Sequence, residues 1–225
     1  MIVVAVLLLL AIVVLPQLWV RHTISKHGAE RPDLPGTGGE LARHLLDRFD
    51  LGNVPVEITE KGDHYDPDAK VVRLLRQHHD GRSLSAIAIA AHEISHALQD
   101  ANGERKLAAR QRLAKLANVT DRLAGIFFIA APVLTLIART PAAFVAVIGL
   151  GIGLLAVRVL VNLVTLPVEM DASFSKALPI LREGRYLSED DLPAAHSVLR
   201  AAAFTYVAGA LISLVNLARW IRLLR

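Results

Sequence analysis

The sequence predicts a mainly α-helical, multi-pass membrane protein with about four transmembrane helices and a small α+β region at the membrane interface. Of its 225 residues, 53% are hydrophobic, which is too apolar for an ordinary soluble domain. These residues are concentrated in four long runs without charge, and a further apolar helical segment carries two histidines and a glutamate. Two segments of alternating hydrophobicity, separated by a turn, indicate a small sheet.

The four uncharged runs are the predicted spans. A helix needs ~20 residues to cross a ~30 Å hydrocarbon core. The first run along the chain meets this length, and the third and fourth come close. The second run is short and can span only if the side chains of Arg122 and Arg139, at its two ends, extend to the headgroups. No small-residue cleavage site precedes Arg21, so we expect an uncleaved anchor rather than a signal peptide. The runs are Met1–Val20, Leu123–Ala138, Thr140–Val157 and Ala201–Ala218.

The chain is predicted to divide into five regions. Residues 1–20 form a transmembrane anchor, and residues 21–122 form the region that holds the functional helix. Residues 123–166 form a transmembrane helical hairpin, and residues 167–200 supply a further acidic group to the site. Residues 201–225 form a C-terminal transmembrane helix with a basic tail.

Composition limits the partners. The chain contains no cysteine, so a disulfide framework is excluded. The formal net charge of +4 comes from basic residues beside the apolar runs, which suits anionic lipid headgroups. No basic patch is interleaved with aromatic residues, so we expect a lipid bilayer and no nucleic acid.

The region after the anchor is predicted to begin with a helix and a small sheet. Thr37 and Glu40 match a capping box, and a helix is expected over residues 38–49. Val54–Ile58 alternates like a strand, Asp63–Asp68 is turn-forming, and Lys70–Leu75 is a second strand. Lys70–Leu75 is also our candidate edge for holding an extended peptide, with a purely structural hairpin as the alternative.

The next helix carries the strongest motif. Asp80–Ser83 is expected to cap a helix that begins near Leu84, and Asn102–Gly103 is expected to end it. Within it, Ala90–Leu98 contains an H-E-x-x-H pattern flanked by small and apolar residues.

Residues four apart share a helix face, so His92 and His96 can present two imidazoles to one metal ion. Glu93 is rotated away from that ion and can take a proton from a water beside it. Catalytic zinc uses three protein ligands, so this spacing predicts a zinc site with one ligand still to find. The alternative is a helix with two solvent-facing histidines and an incidental glutamate.

The third ligand is sought in Leu166–Ser173, where the third uncharged run ends. If the chain crosses the membrane twice after His96, Glu169 returns to the side of the two histidines. Asp171 is a near-equal candidate for the ligand, or else a group that orients an imidazole. The remaining alternative is a pair of carboxylates that only marks the exit from the membrane.

Four segments together resemble the YugP-type neutral zinc metallopeptidases of bacterial membranes: Asp63–Pro67, Ala90–Leu98, Leu166–Ser173 and Ala201–Val207. The resemblance implies a zincin-like fold for residues 21–122. It also implies zinc ligation by His92, His96 and Glu169, with Glu93 catalytic. The more distant membrane gluzincins carry Glu-x-x-x-Asp, whereas position 173 is Ser here and the aspartate is Asp171.

These observations predict a membrane-embedded zinc metalloendopeptidase that hydrolyses a peptide or protein substrate, with Glu93 as general base and acid. The alternatives are a membrane scaffold with a structural zinc, and an intramembrane-cleaving metalloprotease. Basic residues on the flank of the metal helix place the active site on the cytoplasmic side, although a basic C-terminal tail opposes this. A second group for the oxyanion is sought among His64, Tyr65, Arg158, Tyr186 and His196.

Overall fold

The computed structural model describes residues 2–138 and 140–222, which form eight α-helices, a π-helix and three short strands. The helices and strands have the following bounds: α1 Ile2–Lys26, α2 Gly38–Arg48, β1 Val56–Thr59, β2 His64–Asp66, β3 Val71–Leu75, α3 Arg76–His79, α4 Leu84–Ala101, α5 Arg105–Ala138, α6 Pro141–Met170, the π-helix Asp171–Ala177, α7 Leu178–Glu183 and α8 Leu192–Arg222.

The prediction of a multi-pass protein with about four spans is wrong. Within the described residues, one helical segment, Gly149–Glu183, is long and apolar enough to cross a membrane, with a mean hydropathy of 2.0. A lack of charge does not by itself make a span, since Leu123–Ala138 is shorter than the ~20 residues that a bilayer requires. Parts of Met1–Val20 and Ala201–Ala218 lie outside the residues whose side chains the structure describes.

The chain forms two compact units. The site unit comprises Gln17–Ala108 and Pro167–Thr205. The helical unit comprises the described residues of Met1–Pro16, Ala109–Leu166 and Tyr206–Arg225. Residues from two distant parts of the chain therefore meet in the site unit, which holds all three strands and helices α2, α3, α4 and α7.

Helix α4 lies at the centre of the site unit because its sequence is apolar on nearly every face. All of its residues from Leu84 to Ala97 are buried. Ser83 caps its start, accepting a hydrogen bond from the Ala86 N–H at 3.1 Å. Gly103, at φ +63°, ends it in the left-handed region, as the sequence predicts, and the Glu104 N–H bonds to the Gln99 carbonyl at 2.9 Å.

Helix α2 begins at the predicted capping box. The Thr37 hydroxyl accepts from the Glu40 N–H at 3.2 Å, and the Glu40 carboxylate accepts from the Thr37 N–H at 2.8 Å. Its apolar side buries Leu45 and Leu46 completely against the core around α4. Two orphan N–H groups are thus satisfied while the hydrophobic face packs inward.

The sheet has three strands in the order β1-β3-β2, with β1 parallel and β2 antiparallel to β3. The segment predicted as a turn therefore contains a strand, β2, and the tight turn follows it. There the Asp66 carboxylate accepts from the N–H groups of Asp68 and Ala69, both at 3.1 Å. Strand β3 is paired on both sides, so the prediction that Lys70–Leu75 is the open edge is wrong. The strand at the edge beside α4 is β2.

Candidate metal centre

The two histidines of the motif lie one turn apart on α4 and are almost completely buried. Their side chains are about 5% exposed, and their ring centroids are 4.7 Å apart at an interplanar angle of 81°. The apolar flanks Ile87–Ala91 and Ala97 place this part of the helix in the core. The helix can therefore hold both imidazoles rigidly away from bulk water.

Glu169 meets both imidazoles. It lies in the last turn of α6, next to the π-helix, and its side chain is 1% exposed. Its Oε2 atom is 3.2 Å from the Nε2 atoms of both His92 and His96. One ligand atom from each of the three residues lies within 4.8 Å of the others.

This donor set fits zinc. Two imidazoles and a carboxylate are a set of protein ligands that zinc takes in catalytic sites. Burying a carboxylate is costly unless a positive charge compensates it, and a divalent cation between the three groups would do so. The two imidazole nitrogens and the carboxylate oxygen already point at one another, as ligands of a common ion must.

Glu93 follows His92 on the helix and has a different role in the geometry. It lies outside the set of three ligand atoms that meet. The Tyr65 N–H of strand β2 donates to its Oε2 atom at 2.8 Å. Burial raises the pKa of the Glu93 carboxyl to about 7, although the neighbouring His92 works in the opposite direction. A carboxyl with such a pKa can both accept and release a proton near neutral pH.

Each metal-facing histidine has a hydrogen-bond partner on its other ring nitrogen. His92 Nδ1 lies 3.1 Å from the Ser173 hydroxyl. His96 Nδ1 lies 2.9 Å from Oε1 of Gln99. Sequence reasoning missed both partners, because a lone Ser or Gln carries no motif; only the helical spacing of Gln99 after His96, and of Ser173 after Glu169, could have indicated them.

Asp171 does not contact an imidazole. Its carboxylate accepts from the Gln99 amide at 2.8 Å and from Lys176. The expectation that Asp171 orients a histidine directly is therefore wrong, because Gln99 stands between them. The side chain of this segment that contacts Nδ1 of the His92 imidazole is Ser173.

The described side chains proposed for the oxyanion have partners elsewhere. Tyr65 donates its hydroxyl to Asp100 at 2.7 Å, and burial raises its pKa. Tyr186 hydrogen bonds to His44 and Arg48, His64 to the Gly62 carbonyl, and the exposed His196 packs on Phe174. The Arg158 side chain lies outside the described part of the chain.

The histidine pair that follows β3, His78 and His79, lies on the short helix α3. His78 is buried, with its Nδ1 atom 2.8 Å from the Asp63 carboxylate. His79 is bonded to Asp80 at 2.6 Å. Both histidines therefore hold local structure together.

Comparison with known proteins agrees with this chemistry. The profile of a family described as "Putative neutral zinc metallopeptidase" matches residues 1–225. A Bacillus subtilis (strain 168) protein named "Putative membrane protease YugP" is 37% identical over 207 residues, covering 91% of this chain and 88% of the relative. No solved structure matches this chain.

Proposed function

This chain belongs to the neutral zinc metallopeptidase family, and we propose that it is a membrane-attached zinc metalloendopeptidase whose metal ligands are His92, His96 and Glu169. The observation that carries the proposal is the convergence of these three buried groups, at 3.2 Å from Glu169 Oε2 to each imidazole. Beside them lies Glu93, a carboxyl whose pKa is raised to about 7.

A zinc ion held by His92, His96 and Glu169 would lower the pKa of water and polarise a carbonyl group. The Glu93 carboxylate would take a proton from the water that attacks the peptide carbonyl, and would give that proton to the leaving amine as the C–N bond breaks. The Tyr65 N–H fixes the carboxylate at 2.8 Å, and the apolar surroundings of α4 keep other water away. Glu93 thus serves first as the general base and then as the general acid.

Strand β2 is the proposed docking edge for substrate. It is the outer strand of the sheet on the side of α4, and its Tyr65 N–H faces Glu93. An extended peptide that adds to this edge would make main-chain hydrogen bonds that do not depend on its sequence, to groups other than the Tyr65 N–H, which donates to Glu93. The scissile bond would then lie beside Glu93.

Two observations support membrane attachment: the length and hydropathy of one helical segment, and the name of one relative. The segment Gly149–Glu183 can span a bilayer by length and composition, and the Bacillus relative is named a membrane protease. Leu150, Leu160 and Leu163 on this segment are all more than half exposed. An exposed apolar face of this kind suits lipid contact. From the basic residues that flank the apolar runs, we place the active site on the cytoplasmic side.

The two alternatives have less support. A structural zinc normally has four protein ligands, whereas three groups converge in the described part of the chain. An intramembrane-cleaving protease would need α4 itself to cross the bilayer. Helix α4 does not reach the required hydropathy and is buried among α2, α3 and the π-helix.

The test is Glu93→Gln in the full-length protein in detergent, with an unstructured protein as substrate. Zinc content should stay at the parent level, while hydrolysis should fall by about 10²–10⁴-fold because the proton-transfer group is lost. Glu60→Gln, a change at an exposed carboxylate, is the matched control and should keep full activity. Parent-like turnover in the zinc-loaded Glu93→Gln protein would overturn the mechanism.

A further inference from the structure

Gln99 is a completely buried polar side chain that links the two segments of the metal centre. It follows His96 by three residues on α4 and is 1% exposed. Its Oε1 atom lies 2.9 Å from His96 Nδ1. Its Nε2 atom donates to the Val168 carbonyl at 3.2 Å and to the Asp171 carboxylate at 2.8 Å.

The orientation of the Gln99 amide is fixed by what surrounds it. A backbone carbonyl and a carboxylate can only accept hydrogen bonds, so the –NH₂ end must face Val168 and Asp171. The carbonyl end must then face His96. A carbonyl oxygen can only accept, so the hydrogen of the imidazole lies on Nδ1, and Nε2 presents its lone pair to the site.

The Asp171 carboxylate, which accepts from the Gln99 amide, is itself paired with a lysine. Lys176, on the π-helix, contacts Asp171 and lies 3.0 Å from the Glu104 carboxylate. Asp171 is thereby kept as a charged acceptor for the Gln99 amide. The chain of contacts runs from Lys176 through Asp171 and Gln99 to the imidazole of His96.

His92 has the same arrangement with a different residue. The Ser173 hydroxyl donates to the Leu199 carbonyl at 3.1 Å, so its oxygen is left to accept from His92 Nδ1 at 3.1 Å. Both imidazoles thus carry hydrogen on Nδ1 and direct Nε2 toward Glu169 Oε2. This geometry supplies two lone pairs and a carboxylate with no hydrogen between them.

We infer that Gln99 is a positioning residue that holds His96 in its metal-binding tautomer and fixes the Glu169 segment against α4, with Asp171 setting the orientation of its amide. The inference rests on the proposed metal centre. Gln99 acts on the His96 imidazole and also on the segment that carries Glu169, because its partners Val168 and Asp171 flank Glu169 in sequence. A carboxylate in place of Gln99 would accept from His96 but face the Asp171 carboxylate.

The experiment measures zinc affinity of the full-length protein by competition with a chelator, which does not depend on catalysis. Gln99→Met keeps the shape but loses every hydrogen bond, and zinc affinity should fall by about 10–100-fold. Gln77→Met makes the same change at an exposed position of α3 and should leave affinity unchanged. Zinc affinity within twofold of the parent in Gln99→Met would overturn the inference.

A pair of variants separates hydrogen bonding from packing. Gln99→Glu should also weaken zinc binding, because two carboxylates then face each other. Adding Asp171→Asn supplies an amide donor to the new carboxylate, and the double variant should recover part of the affinity, because the Val168 carbonyl still lacks its donor. A double variant that binds zinc no better than Gln99→Glu would contradict the proposed contact.

Two further measurements complete the test. Two-bond ¹H–¹⁵N spectra of the histidine rings should show the Nδ1–H form of His96 in the parent and a mixture of tautomers in Gln99→Met. An unchanged tautomer pattern would count against the inference. His92→Ala should abolish tight zinc binding, and if it does not, the proposed metal centre is wrong. If His92→Ala loses zinc binding while Gln99→Met keeps the parent's zinc affinity, only the role of Gln99 is refuted.

Discussion

Gly38, the first residue of α2, allows the start of that helix to touch α3 and α4. A Cβ atom there would lie 2.2 Å from the His78 carbonyl oxygen and 2.8 Å from the Ala86 carbonyl oxygen. The Gly38 N–H donates to the Gly81 carbonyl at 3.1 Å, which shows how closely the backbones approach. No residue larger than glycine fits at this position without moving the neighbouring backbone.

Gly38→Ala should therefore destabilise the site unit by about 1–3 kcal/mol through overpacking against backbone that cannot yield. The measurement is the free energy of unfolding in urea. Gly125→Ala is the matched control, because nothing lies within 4 Å of a Cβ there and the residue is inside α5. That control should be neutral or raise stability by about 0.5–1 kcal/mol. Equal effects of the two changes would contradict the close packing at Gly38.

At the residue scale, the sequence indicates the groups that carry a motif and misses those that do not. His92 and His96 follow from helical spacing, and the structure brings Glu169 to both of them. Two membrane crossings between His96 and Glu169 do not account for this meeting, because the described residues contain one candidate span; the family resemblance predicts Glu169 without them. Gln99 and Ser173 act through tertiary contacts to Val168 and Leu199, and no local pattern shows such contacts.

At the element scale, Tyr65 joins the edge strand β2 to α4 through two hydrogen bonds. Its N–H donates to Glu93 and its hydroxyl to Asp100, two turns further along the helix. Asp100 also pairs with Lys70, so the turn after β2 is held at the same place. The strand proposed to receive substrate is thereby aligned with the helix that carries the metal ligands.

Tyr65→Phe keeps the backbone N–H and removes the hydroxyl contact, so β2 loses one of its two attachments to α4. We expect a loss of about 1 kcal/mol in the free energy of unfolding. We also expect a raised KM for an unstructured protein substrate, because the docking strand is less firmly held.

Tyr186→Phe is the matched control for the Tyr65 prediction. The Tyr186 hydroxyl bonds to His44 and Arg48, both on α2. A similar loss of stability with an unchanged KM is expected for this variant. If both tyrosine variants change KM equally, β2 has no special role in binding.

Strand β2 also shows why the sheet could be predicted only in part. Its three residues lie between Gly62 and Pro67, and that composition indicates a turn. The pairing of β2 with β3 depends on contacts that the alternation of hydrophobic residues does not encode, such as Tyr65 against α4. Without β2, the sequence predicts β3 as an edge strand, whereas the observed order β1-β3-β2 makes it the central one.

For the whole molecule, the site unit is closed by a contact between residues 160 positions apart. Arg31, after α1, pairs with Asp191, before α8, at 3.0 Å and with Asp33 at 2.6 Å. The Arg31 guanidinium lowers the pKa of Asp33 to about 2 and holds the pKa of Asp191 below its usual value. These depressed values link the contact to acid stability.

A carboxyl with a lower pKa in the folded state stabilises that state above its unfolded pKa of about 3.9, and the contribution is lost as the pH falls. Stability of the parent should therefore drop between about pH 4 and 2 more steeply than that of Arg31→Met. The check is the midpoint of urea unfolding as a function of pH. Arg76→Met is the control, because its ion pair joins α3 only to Asp80, the residue that follows it, and the pKa of Asp80 is lowered chiefly by His79. Identical pH profiles for the parent and Arg31→Met would contradict the link.

The number of membrane spans could not be read from the absence of charge. A buried core helix and a membrane helix have similar composition, and α4 shows how apolar a buried helix can be. What distinguishes them is whether apolar side chains face protein or lipid, and this follows only from the fold. Leu150 and Leu160 are exposed, whereas Ile87 and Ile94 are buried.

The side of the membrane that carries the site is testable because the chain contains no cysteine. Glu60→Cys introduces a single thiol on the exposed turn between β1 and β2, within the site unit. Because basic residues favour the cytoplasm, we expect an impermeant maleimide to label this thiol only after the cells are permeabilised. A permeant maleimide should label it in intact cells and so confirm that the thiol is reactive. Labelling of intact cells by the impermeant reagent would place the metal centre outside and reverse the proposed orientation.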